Sequence, residues 1–186
     1  MGIYSLMNEL TALSERDDRG ALASLRRLLG ERRGYTQALR YVVPHLSQKD
    51  NDRSTRDLLL VAGLFGMHPS QSGSTDKSTA ARIRRRNMGD VYRLLSHGNR
   101  DENDSATERR FNHLLEAHKE QIEPHLRQAI GLAKSAKPSV AIDYVQLYWD
   151  LQKWQLESRT VQFNWARSFY GTFEIDDDSP QGDREE

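Results

Sequence analysis

Apolar residues recur along most of this chain at steps of three and four, the spacing that lines one face of an α-helix. Ile3, Leu6, Met7, Leu10 and Leu13 form the first such stripe. Leu22, Leu25, Leu28 and Leu29 form the second, entered after Asp17 and Asp18, with Gly30 placed to stop it. A third, short helix is expected from Thr36 to Val43, closed by Pro44. The fourth begins at Asp52 or Ser54, either of which can accept a bond from an unpaired backbone N–H, and carries Leu58, Val61, Ala62 and Phe65. Residues 66–78 lose the period; rich in Gly, Ser and Pro, they read as a mobile loop.

The helical period returns from Ala80 to Leu95, with a weak point at Met88-Gly89. Residues 97–104 are a polar break and offer a boundary between an N-terminal and a C-terminal lobe. Ser105 and Glu108 have the spacing of a capping box ahead of Phe111, Leu114 and Leu115. Pro124 fits the first turn of a helix through Leu126, Ile130 and Ala133. Lys137-Pro138-Ser139 makes a turn, and Asp143 caps a helix carrying Tyr144, Leu147, Tyr148, Leu151 and Trp154. A last helix spans about Glu157 to Tyr170, with Val161, Trp165 and Phe169 on one face. No Asn-Gly or Asp-Gly hairpin and no alternating β-branched run signals a strand. The expectation is an all-α bundle of eight or nine helices in residues 1–173, as one domain or two small lobes.

Composition narrows the class. With 186 residues, 37% of them hydrophobic, the chain can bury a core of its own. Its longest apolar run, Leu58 to Phe65, is too short for a bilayer, and the first thirteen residues lack the basic-then-apolar plan of a secretory signal. There is no cysteine, hence no disulfide, thiol nucleophile or thiolate metal site. A cytoplasmic protein without a membrane partner is expected. The net charge of zero conceals an asymmetry: residues 174–186 carry seven acids against one base, leaving residues 1–173 with a net charge of +6. The acidic segment 174–186 is expected to be a disordered tail, either merely solubilising or competing with nucleic acid for the basic body.

Catalytic chemistry finds little support. The glycines are scattered, so no phosphate-cradling loop is formed, and none of the six histidines follows a Glu by three residues, as helical di-iron sites require. His113 and His118 are five apart and point to different helix faces. Asp143 and Asp150 share a face, but the first reads better as an N-cap and the second as a polar partner for a neighbouring helix. The expectation is no enzyme, no metal and no cofactor.

The arginines carry more information. Arg26-Arg27 lie in a Leu-rich helix, Arg82 and Arg84-Arg85-Arg86 follow the loop, and Arg109-Arg110 open another helix. All eight are Arg and none is Lys. A guanidinium grips phosphate oxygens in pairs and stacks on unpaired bases, which an ammonium cannot do. A solvated charged face is the bland alternative.

Several motifs then occur in order: Ala23-Ser-Leu-Arg-Arg-Leu, the Met88-Gly89 step, Glu108-Arg-Arg-Phe-Asn-x-Leu-Leu-Glu-Ala, His125-Leu-Arg, Ile142-Asp-Tyr-x-x-Leu-x-x-Asp-Leu-x-x-Trp154 and Trp165-Ala-Arg-x-Phe-Tyr170. Over about residues 20–170 this series resembles the CasB family, the small subunit of the type I-E CRISPR surveillance complex, Cascade. The resemblance implies a non-catalytic helical protein, present as two copies packed head to tail. It implies as partners the other Cascade subunits with their crRNA, and the target and displaced DNA strands, held by a basic surface that stabilises the R-loop. Arg26, Arg27 and Arg110 match basic positions of the family pattern, and Arg127 and Arg167 extend the set. Arg82–Arg86 fall in a segment of variable length and enter through charge alone. The loop at 66–78 and the acidic tail depart from the pattern. A purely structural adaptor, its contacts made by Tyr148, Trp149 and Trp154, is the alternative; a helix-turn-helix reader of duplex DNA lacks its compact turn and polar recognition helix.

Overall fold

The computed structural model describes residues 2–30, 35–46, 51–69, 86–97 and 103–171. Among them it contains nine α-helices: α1 (Ile3–Glu15), α2 (Arg19–Arg26), α3 (Tyr35–Val42), α4 (Asp52–Met67), α5 (Met88–His97), α6 (Asn103–Glu116), α7 (Ile122–Ser135), α8 (Tyr144–Lys153) and α9 (Thr160–Tyr170). Short 3-10 turns, Val43–His45 and Lys119–Gln121, precede α4 and α7, and the described residues include no strand. The fold is all-α, as the periodicity requires.

Local chemistry sets the helix boundaries. Ala21 N–H donates to Asp18 Oδ1 at 2.9 Å, which caps α2, and Gln146 N–H to Asp143 Oδ1 at 2.9 Å, so Asp143 caps as expected. Other boundaries fall elsewhere. Asn51, rather than Asp52 or Ser54, caps α4: its Oδ1 accepts from Ser54 N–H at 2.9 Å, which places Asp52 in the first turn. The same helix continues to Met67, into what reads as loop. The step at Met88-Gly89 is a helix start rather than a weak point, because Asn87 Oδ1 accepts from Gly89 N–H at 2.8 Å while Asp90 Oδ2 accepts from Asn87 N–H at 3.0 Å. Ser105 is not at a cap, since α6 begins at Asn103. The second helix stops at Arg26, short of the expected end, and residues 27–30 close as a turn. The last helix starts at Thr160, after Arg159, whose φ of 46° is left-handed.

One continuous core draws apolar side chains from all nine helices, with Leu6, Leu25, Leu58, Phe65, Tyr92, Phe111, Leu126 and Trp165 among its fully buried members. The α2 helix packs on α4, α4 on α8, and α9 on α5. Two of these crossings are close because a glycine stands at each. A Cβ on Gly66 would lie 2.9 Å from the Arg26 nitrogen and the Leu22 carbonyl oxygen, and one on Gly89 only 1.9 Å from the Trp165 carbonyl oxygen. The two glycines let the backbones meet, fixing α2 on α4 and α9 on α5.

Several polar groups inside this core are paired, while the buried Tyr92 hydroxyl has no hydrogen-bond partner among the described residues. Trp165 Nε1–H donates to Asp150 Oδ2 at 2.7 Å and Gln146 Nε2 to Asp150 Oδ1 at 2.8 Å, so Asp150 is the polar partner for a neighbouring helix expected from its spacing. His68 Nε2 donates to the Val140 carbonyl at 3.0 Å, and His45 is held between Ser5 and Glu9.

Candidate nucleic-acid interface

Arg26 ends α2 and Arg27 is its C-cap residue, both exposed. Cations there complement the partial negative charge of the last carbonyls, so the helix terminus favours what a phosphate chain would also need. The pair is rigidly based, because the backbone of Arg26 rests against Gly66. Arg127, exposed on α7, reaches the turn that follows: its Nη1 lies 2.9 Å from where a Cβ of Gly30 would stand. It is held loosely by Glu123 at 3.8 Å. The structure therefore brings Arg127 to the same end of α2 as Arg26 and Arg27.

Further arginines stand on α6 and α9, the two helices that pack on α5. Arg109 is exposed on α6; Arg110, beside it, is half-buried, close enough to Tyr92 that its charge opposes the burial that pushes the Tyr92 hydroxyl above its ordinary pKa. Arg167 is exposed on α9, one turn before Tyr170, whose hydroxyl bridges to Glu108 Oε1 at 3.0 Å and Asn112 Oδ1 at 2.9 Å on α6. Arg86 has partly turned inward: its Nη1 donates to the Ala141 carbonyl at 3.4 Å, and burial lowers its pKa against the pull of Asp90. It lines a cavity of about 730 Å³ with Leu95, Thr107, Leu132 and Val140. Arg82, Arg84 and Arg85 lie outside the described residues, as do the acidic segment 174–186 and all of the 66–78 loop after Pro69.

The seven described arginines of this set stand on or beside different helices. Arg26 and Arg27 stand on α2, packed on α4, while Arg110 stands on α6, packed on α5 and α7. What unites Arg26, Arg27, Arg110 and Arg167 is electrostatic: among the described residues no carboxylate comes within ion-pair distance of any of them. A charge left unpaired in this way remains available to a phosphate.

One charged feature escapes the sequence. Asp57, only 2% exposed on α4, meets Lys119 with Nζ 2.7 Å from its Oδ1. Lys119 also donates to the Leu151 carbonyl at 2.7 Å, and Gln152 Nε2 donates to Asp57 Oδ2 at 2.6 Å. Burial raises the Asp57 pKa and lowers that of Lys119, and their mutual hydrogen bond opposes both shifts. The pair borders a cavity of about 570 Å³ lined also by Arg53, Arg56, Leu60 and Glu123. Its partners are 62 positions apart, and the sole hint was an Asp standing beside Leu58 at the edge of an apolar stripe. Among the described residues no three His, Asp or Glu side chains stand close enough to hold a metal ion, and no helix is long and apolar enough to cross a membrane.

The chain matches the family model of CRISPR-associated protein Cse2 over residues 21–170. It belongs to the Cse2, or CasB, family. The CRISPR-associated protein Cse2 of Thermus thermophilus is 32% identical over 155 residues, which cover 81% of this chain and 79% of that one. The crystal structure of CasB from Thermus thermophilus superposes with a TM-score of 0.69 at 28% identity, covering 92% of this chain and all of the other. That of M. ruber CasB superposes with a TM-score of 0.60 at 30% identity, over 81% and 83% of the two chains. The Cse2 match spans the stretch on which the ordered motifs lie, from Ala23 through Tyr170.

Proposed function

We propose that this Cse2-family chain is the non-catalytic small subunit of a cytoplasmic type I-E Cascade complex. It sits there as two copies, head to tail, beside the other subunits and their crRNA. Its arginines hold the displaced DNA strand and support the crRNA–target heteroduplex. The observation that carries this reading is the set of arginines without carboxylate partners among the described residues, Arg26, Arg27, Arg110 and Arg167, with Arg127 added at the end of α2. Arg109 adds exposed charge beside Arg110, while Arg82, Arg84, Arg85 and Arg86 contribute through charge alone. Exchange of a DNA duplex for an RNA–DNA duplex is nearly balanced in energy, so a few backbone contacts decide whether the open state persists.

A second reading, a helical adaptor without nucleic-acid contact, draws on Trp149, which is 42% exposed. Tyr148 and Trp154, its expected companions, are core residues; the Trp154 indole N–H donates to the Ala117 carbonyl at 3.0 Å. The two readings separate by filter binding of single-stranded DNA across a salt series. The wild-type chain is expected to show steep salt dependence. Reversal of Arg26, Arg27 and Arg110 to Glu is expected to weaken binding about a hundredfold at roughly 0.1 M salt and to flatten the log–log slope by about 2. An adaptor would bind no better than its charge-reversed variant.

A further inference from the structure

The helix α9 buries Val161, Gln162 and Trp165 and packs Phe169 against the core. Its opposite face carries Phe163, Arg167 and Tyr170, four and then three residues apart, which places them in line over two turns. Phe163 is 69% exposed, the most exposed large apolar side chain among the described residues, and Tyr170 is 52% exposed. A solvated helix face has no use for two aromatic rings; here they flank a guanidinium with no carboxylate partner among the described residues.

The stripe is also held still. Asn87 Nδ2 donates to Ser168 Oγ at 2.8 Å, Gly89 lies against the Trp165 carbonyl, and the Trp165 indole is tied to Asp150. The Tyr170 ring meets Phe169 edge-on at 4.7 Å, and its hydroxyl is fixed by Glu108 and Asn112. Glu108 repels phosphate at the hydroxyl end, which leaves the ring face as the contact surface.

From this juxtaposition we infer that the outer face of α9 is a stacking platform for unpaired bases, with Phe163 and Tyr170 supplying ring faces and Arg167 the phosphate contact between them. The inference rests on the nucleic-acid reading above and assigns it a mode. Seven residues of helix span about 10 Å, close to three stacked nucleotides at roughly 3.4 Å each. Stacking on aromatic side chains is indifferent to sequence, because every base has a π face, and an interleaved arginine adds both charge and stacking. Arg167 puts a positive charge between the two rings, where a phosphate chain would run; a protein partner on this face is the outcome that sedimentation separates.

The test compares full-length wild type with Phe163→Ala and Phe163→Trp, titrated with an oligothymidylate and with an abasic strand of equal length and charge. Thermal melting checks that the exposed substitutions leave the fold intact. Stacking predicts that Phe163→Ala weakens oligothymidylate binding about tenfold, leaves the abasic strand and the salt slope unchanged, and is rescued by Phe163→Trp. Equal weakening on both strands, or none on either, overturns the proposal while leaving the nucleic-acid reading in place. So does a change in sedimentation alone, which would make the face a protein contact. If the wild-type chain binds neither strand, both readings fall.

Discussion

Replacing Gly89 by Ala is expected to cost about 3 kcal/mol or more of stability and to lower the melting temperature by roughly 10 °C. The added methyl would stand 1.9 Å from the Trp165 carbonyl oxygen and 2.7 Å from its carbon, and neither is a side-chain end that can swing away. Helix α9 would have to leave α5, and with it would go the Asn87–Ser168 bond and the seating of Trp165 against Asp150. Gly131→Ala is the control: nothing lies within 4 Å of a methyl there, and in mid-helix Ala is favoured over Gly. Calorimetry showing the two variants alike would rule out the close α5–α9 crossing.

Lys119→Met is expected to cost about 3–5 kcal/mol at neutral pH, because it strands the buried Asp57 carboxylate. The loss should depend on pH in a stated direction. Burial already raises the Asp57 pKa, and the variant removes the hydrogen bond and charge of Lys119 that oppose it, leaving Arg53 and Gln152 to do so. With the folded pKa above the unfolded value near about 3.9, the folded chain binds the proton first, so stability falls as pH rises and returns as pH drops from roughly 7 toward 4. Denaturant unfolding at several pH values should show this recovery in the variant and a smaller one in the wild type. A flat profile in Lys119→Met would mean that Asp57 is not buried as charge. Asp57→Leu combined with Lys119→Met should restore most of the lost stability, since an apolar pair of similar volume is often neutral.

What the sequence reveals depends on the range of the interaction concerned. Helix faces are legible because periodicity is a local property with many votes: Leu6, Leu10 and Leu13 are buried, as their spacing requires. Helix starts are contests among neighbours. Asn51, Asp52 and Ser54 can each cap, and the extended backbone of Asn51 at the head of the helix decides. Ser105 and Glu108 had the right spacing, but α6 had already begun at Asn103. Asp150 was readable as a partner for another helix, though not which one, since Trp165 lies fifteen residues away. Beyond that range the signal vanishes. Nothing in the sequence joins Asp57 to Lys119, Arg127 to the end of α2, or turns Arg86 toward Ala141. The arginines were legible as a residue type with a chemistry, and their arrangement on the surface was not, because it is set by how α2 and α6 pack on different neighbours.

The central claim is that these guanidinium groups lengthen the life of an open DNA duplex. Its most direct measurement is R-loop lifetime on a matched target, in a reconstituted complex carrying either the wild-type chain or the one with Arg26, Arg27 and Arg110 reversed to Glu. Assembly is expected in both cases, with an R-loop that collapses at least about tenfold sooner with the reversed chain, the difference shrinking as salt is raised. Equal lifetimes in two fully assembled complexes would contradict the claim.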